Sequence, residues 1–189
     1  MGAMSSVSRL YVDAPLTSGQ PVALDDNQSK YLMRVMRLAA GDEVRVFNGR
    51  DGEWSAKLVP ESAKKASLEP VRQTRAQVEV PDLTLLFAPL KKARTDFVVE
   101  KACELGVRQI QPVMTEWTQA SRVRTDRLQA TVIEAAEQTE RMDIPVVLED
   151  MPLAKALDTW DSGVPLYYCD EAGEGSAMAD VLSTAGGGG

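Results

Sequence analysis

Three basic residues, Lys91, Lys92 and Arg94, lie between a largely apolar run, Leu83–Ala88, and the start of a helical pattern. Open α/β sheets take their ligands at the carboxyl ends of their strands, so lysine and arginine there could hold a phosphate or steady a developing anion. The plainer alternative is a loop kept soluble by its charges. A second set, Lys30, Arg34 and Arg37, is spaced i, i+4, i+7 and would share one helix face. Such a stripe can neutralise nucleic-acid phosphates, or it can be an ordinary solvated face. A third group is acidic and polar. Glu100 and Glu104 stand four apart around Lys101, and Glu137, Gln138 and Arg141 cluster on a later helical pattern. Glu100 is expected to point outward and Glu104 to adjoin the buried edge beside Leu105. Charges held near a core need partners, so ion pairing between these two helices is the leading reading of the five residues, as support for a site.

Several chemistries are excluded. None of the 189 residues is histidine, which removes Ser-His-Asp and Cys-His nucleophilic catalysis and any histidine-based zinc site; no metal site is expected. Neither GxGxxG nor GxxxxGK[ST] occurs. Gly173 and Gly175 in CDEAGEG follow an apolar run, but their acidic neighbours would repel phosphate. Cys103 and Cys169 are far apart in apolar patterns and are expected as thiols. The first residues show no apolar h-region behind a basic flank, so no signal peptide is expected. No apolar run reaches the roughly 18–20 residues that span a bilayer. The net charge of −7 is uneven: Ser8–Arg75 carries 11 basic and 9 acidic residues, the remainder 10 and 19. A polyanion, if one binds, should choose the first half.

The elements that must position these residues fall into two sets. Short alternating runs, Arg9–Val12, Pro21–Leu24, Glu43–Phe47, Glu53–Val59 and Ala66–Arg75, are separated by turn signals such as Asn48-Gly49 and Asp51-Gly52. They predict a small β-barrel over residues 5–75. Between them, Asp25 or Asp26 can cap a helix to about Leu38 with Tyr31, Leu32, Val35 and Met36 inward. Residues 76–82 read as a linker. Residues 83–189 then alternate strand and helix, as an α/β unit with a parallel sheet does. Helix Arg94–Leu105 should place Phe97, Val98, Ala102 and Leu105 inward, with Gly106 closing it. Helix Asp126–Glu140, capped by Thr125, should bury Leu128, Val132, Ala135 and Thr139. Strands are expected at Ile110–Met114, Pro145–Leu148 and Leu166–Cys169, with a helix over Leu153–Trp160.

In order and spacing, YLMRVMRLAAGDEVRVFNGRDGEW, KKARTDFVVEKACELGVRQIQPVMTE and EAAEQTERMDIPVV resemble the RsmE-like family of SPOUT-class methyltransferases. The resemblance spans about Arg9 to Cys169. It implies an α/β protein with an N-terminal PUA/OB-like RNA-binding β-barrel and a SPOUT-type α/β domain closed by a trefoil knot. The implied activity is transfer of the methyl of S-adenosylmethionine to N3 of a uridine in 16S ribosomal RNA of the small subunit, by a cytoplasmic homodimer with no membrane association. The alternative is a non-catalytic RNA-binding protein whose α/β half is a scaffold. On this reading Arg9, Lys30, Arg34 and Arg37 contact RNA, and Lys91 and Arg94 are the catalytic candidates. The family's GPEGG-type loop and its LG-x-x-ILR-x-ET stretch are absent from these residues. The knot region is therefore expected to be largely missing, the chain a C-terminally truncated and inactive member, and Glu171 and Ala172 its remaining cofactor contacts. Tyr31 stands where the family commonly has histidine, and TEWTQAS replaces a TERS-like run.

Overall fold

The computed structural model describes residues 7–118, 123–170, 172–173 and 175–184. The first half is one mixed sheet of β1 (Arg9–Tyr11), β2 (Val22–Ala23), β3 (Glu43–Phe47), β4 (Glu53–Pro60) and β5 (Ala66–Arg75), in the order β1-β3-β4-β5-β2. Only β1–β3 is parallel; the other ladders are antiparallel. The alternating runs bury Val44, Val46, Ala56, Leu58 and Leu68 on a common core. The β3–β4 turn is built by side chains. Asn48 Oδ1 accepts from the amides of Arg50 and Asp51, and Asp51 Oδ2 accepts from Asn48 Nδ2 and from the Leu16 amide. Gly52, at φ 73°, closes it where a Cβ would lie 2.2 Å from the Arg75 carbonyl oxygen.

Helix α1 (Asp26–Lys30) opens with a reciprocal cap, Asp25 accepting from the Gln28 amide and Gln28 Oε1 from the Asp25 amide. It then widens into a π turn, Tyr31–Val35, so the regular helix expected to Leu38 is not formed. Of its expected inward residues only Leu32 is buried. The extra residue per turn rotates Tyr31, Val35 and Met36 out to solvent.

The second half contains β6 (Thr84–Phe87), α2 (Lys92–Glu104), β7 (Gln109–Met114), α3 (Thr125–Gln138), β8 (Val146–Val147), β9 (Met151–Pro152), α4 (Leu153–Asp158) and α5 (Met178–Thr184). All its ladders are parallel, with β6 on one side of β7 and β8 then β9 on the other. Pro112 accounts for the split edge, having no N–H to offer a ladder. Pairing with β8 stops at Ile110 and resumes with β9 at Val113. Across the gap Gln111 Nε2 donates to the Glu149 carbonyl at 2.8 Å.

Two helix faces differ from expectation. On α2 the buried residues are Thr95, Val99, Ala102 and Cys103, while Phe97 and Leu105 are 58% and 80% exposed. The small residues let α2 lie against α3, and the bulky ones are turned away. On α3, Leu128, Val132 and Ala135 are buried as expected, but Ala136 replaces Thr139. Thr125 does not cap α3; its hydroxyl donates to Glu149 Oε1 at 2.8 Å. Leu166–Cys169 is exposed and forms no strand; an apolar run becomes a strand only where a ladder partner stands beside it.

The two halves share a core. Phe47 of β3 is fully buried in the cluster of Val99, Ile110, Leu128 and Val132. Arg9 lies over its ring at 4.2 Å.

Candidate functional site

The carboxyl edge of the parallel sheet is organised by the β6–α2 loop. Thr95 is 5% exposed, and its hydroxyl clasps Leu90: the Leu90 amide donates to Thr95 Oγ1 and Oγ1 donates to the Leu90 carbonyl, both at 2.9 Å. Lys91 is the N-cap of α2, no side chain caps the helix, and its first turn has no acid. The uncapped amides and the helix dipole therefore face the same edge as Lys91, Lys92 and Arg94, all exposed. Among the described residues none of the three has an ion-pair partner. This arrangement favours an anion. Behind it α2 and α3 are tied by Arg127 on Asp96 at 2.7 Å. At the start of α3 the hydrogen bonds from Arg124 hold the Asp126 carboxyl down to about 2.

Lys30, Arg34 and Arg37 are all exposed and unpaired among the described residues, but they do not share one helix face. The helical path ends at Met36, and Arg37 stands beyond it in the left-handed region at φ 58°. Arg9, expected on the RNA surface, is instead a strut. Its side chain is 9% exposed and bonds Glu53 Oε2 at 2.7 Å, the Ala136 carbonyl at 2.8 Å and the Arg141 carbonyl at 3.0 Å. A guanidinium so engaged has no fork left for phosphate.

The polar group expected on α2 and α3 divides. Glu100 and Glu104 both bind Lys101, at 3.1 and 2.7 Å, and Glu104 is exposed beside an exposed Leu105. Glu137 turns to the first half, accepting from the Tyr11 amide at 2.9 Å; burial raises its pKa. Arg141 does reach α2, donating to the Cys103 carbonyl at 2.7 Å, and pairs with Asp143 at 2.6 Å. Gln138 is exposed. Glu171 lies outside the described residues, and the Ala172 amide is taken by Asp170 Oδ1 at 2.9 Å. The Ala172 amide is thus not free to donate to S-adenosylmethionine.

Sequence reading missed Thr95 and Glu53. Thr95 lies one turn before Val99 on the buried face, a polar residue at an apolar position. Glu53 interrupts the alternation of β4 as a buried charge, its carboxylate held by Arg9, Arg45 and Thr74.

A cavity of about 460 Å³ lies at the opposite edge, between the β3–β4 turn, residues 77–80 and the starts of β7 and β8. Among the described residues no cluster of three or more histidine, cysteine, aspartate or glutamate side chains could hold a metal, and no helix is long and apolar enough to cross a membrane.

An RNA methyltransferase domain family matches residues 78–186, and an RNA methyltransferase PUA domain family matches residues 24–71. The ribosomal RNA small subunit methyltransferase E of Rickettsia conorii is 32% identical over 178 residues, 94% of this chain and 72% of that protein. Its counterpart in Synechocystis is 35% identical over 128 residues, 67% of this chain and 42% of that protein. Among solved structures, ribosomal RNA small subunit methyltransferase E from Neisseria gonorrhoeae bound to S-adenosyl methionine superposes with a TM-score of 0.75 at 32% identity, over 82% of this chain and 66% of that one. A probable rRNA-methyltransferase from Porphyromonas gingivalis shares the fold, with a TM-score of 0.75 at 24% identity, over 93% of this chain and 74% of that one.

Proposed function

From the premise that this chain belongs to the RNA methyltransferase family, we propose that it takes part in S-adenosylmethionine-dependent methylation of small-subunit ribosomal RNA, at N3 of a uridine. The supporting observation in the molecule is the uncapped start of α2 beside Lys91, Lys92 and Arg94, at the sheet edge where α/β folds hold ligands. Uracil N3 must lose its proton to accept a methyl, and the ring then carries negative charge. Lys91 and Arg94 are the proposed catalytic residues, placed to favour that anion and to hold it in line. Thr95 positions them by fixing Leu90. The methyl group itself comes from the sulfonium of the cofactor.

The first half, proposed as the domain over 5–75 joined by 76–82 to 83–189, supplies the RNA platform. A ribosomal substrate implies work in the cytoplasm. A homodimer is part of the same proposal, supported by the exposed apolar side chains of Phe97 on α2 and Leu105 at its C-cap.

The test is to incubate the chain with labelled S-adenosylmethionine and unmodified small subunits, then digest the RNA to nucleosides for mass spectrometry. Labelled 3-methyluridine is the expected product. RNA binding without any methyl transfer would favour the non-catalytic reading, which the engaged Ala172 amide supports.

A further inference from the structure

The surface around the π turn combines charge with apolar area. Tyr31, Val35 and Met36 are 37%, 62% and 40% exposed, although Leu32 between them is fully buried. In sequence they are interspersed with Lys30, Arg34 and Arg37, all exposed. The Met36 amide bonds the Tyr31 carbonyl five residues back, and this wide turn leaves Tyr31, Val35 and Met36 open to solvent with Lys30 and Arg34 beside them in the chain. Arg37 then adopts φ 58°, a conformation that few residues other than glycine use and that tends to mark functional surfaces.

A second element stands beside it. The β4–β5 hairpin carries Lys64 and Lys65 at its tip, and the Ser62 hydroxyl accepts from both their amides at 3.2 and 3.1 Å. The hairpin is pinned to α1. The Ala66 amide donates to Ser29 Oγ at 3.2 Å, and the Ala66 carbonyl accepts from the Leu24 amide at 3.2 Å. Lys30 and Lys65 are therefore the chain neighbours of two hydrogen-bonded residues. None of these five cations has an ion-pair partner among the described residues. The nearby Asp25 carboxylate is turned back onto the Gln28 amide.

We infer that the π turn and the Lys64–Lys65 tip form one surface for a single-stranded segment of RNA, with the cations on its phosphates and the Tyr31 ring stacked on an unpaired base. A duplex would offer the phosphates but hide the base faces that exposed aromatic and apolar side chains suit. The inference rests on the RNA-substrate reading and adds the form of RNA and the residues that grip it.

Fluorescence anisotropy on the full chain tests it, with a labelled single-stranded RNA of small-subunit sequence and the same strand annealed to its complement, across a salt series. The single strand should bind more tightly. Tyr31→Ala should weaken it at least fivefold, and Tyr31→Phe should bind like the parent. Lys64→Ala with Lys65→Ala should flatten the log–log salt slope by about 1.4, two phosphates at about 0.7 each. Lys155→Ala, on α4, should change nothing. Melting temperatures show that each variant is folded. Preference for the duplex would overturn the inference, as would parental affinity in folded Tyr31→Ala. Methyl transfer that persists while these variants bind normally would sink this surface alone. Binding as described with no methyl transfer would leave the surface standing and remove the enzymatic reading.

Discussion

Glu53 has Arg9, Arg45 and Thr74 on its oxygens and is 2% exposed. Burial alone would push its carboxyl up, but the hydrogen bonds from Arg9, Thr74 and Arg45 hold it below the 4.5 of a free glutamate. A depressed carboxylate contributes stability above its unfolded pKa and loses it as pH falls through the folded value. Glu53→Gln should therefore cost about 3–5 kcal/mol at neutral pH, as breaking a buried pair does. In thermal melts the gap from the parent should narrow as pH drops below about 4.5. Glu137 has the opposite sign. Burial raises its carboxyl above 4.5, with the Tyr11 amide opposing, so its contribution is greatest below that pH and declines as pH rises through the folded value. Glu137→Gln keeps an oxygen for the Tyr11 amide and removes the half-buried charge. It should melt higher than the parent at neutral pH, with the advantage gone in acid. Lys91→Ala and Arg94→Ala, both exposed, should each cost under about 1 kcal/mol of stability. The same changes should slow methyl transfer at least about tenfold, roughly 1.4 kcal/mol. A lowered melting point with transfer intact would make the two residues structural.

Elements were legible where local signals and tertiary demands agree. The alternating runs Glu43–Phe47 and Ala66–Arg75 coincide with β3 and β5, and the glycine after α2 has the positive φ its position requires. The place of Lys91 and Arg94 at the carboxyl end of β6 was legible because strand, loop and helix follow one another in sequence. The inward face of α2 was not, because Phe97 and Leu105 are more apolar than Ala102 and Cys103, and only the close approach of α3 selects the small ones. Nor was Arg9, since its bond to the Ala136 carbonyl spans 127 residues and leaves no local trace. The π turn likewise hides behind a periodicity that suits an α-helix. Glycine positions give a test at this scale. Gly52→Ala meets both a φ of 73° and the Arg75 oxygen at 2.2 Å. Left-handed strain of about 1–2 kcal/mol and overpacking of about 1–3 kcal/mol should add up. Gly41, at φ 85° with open space around its Cβ position, should show the strain alone on substitution by alanine. Urea unfolding of the two variants checks the difference, and equal losses would remove the packing argument.

At the scale of the molecule, β1 and β3 are shared property of both halves. Arg9 bonds the last turn of α3, Phe47 fills the α/β core, and Arg75 reaches the Glu140 carbonyl at 3.2 Å. Arg9→Ala should therefore lower the melting temperature of the whole chain in a single transition, read by calorimetry; two separated transitions would show halves that fold alone. The buried Phe47 carries this further. A protease that cuts the irregular stretch over 76–82 breaks one peptide bond and leaves that aromatic plug seated. The nicked protein should keep migrating as one particle on a sizing column, and two separately expressed fragments should find each other in solution. A reporter split at the same place would signal reassembly through a ring contributed by one fragment to the interior of the other.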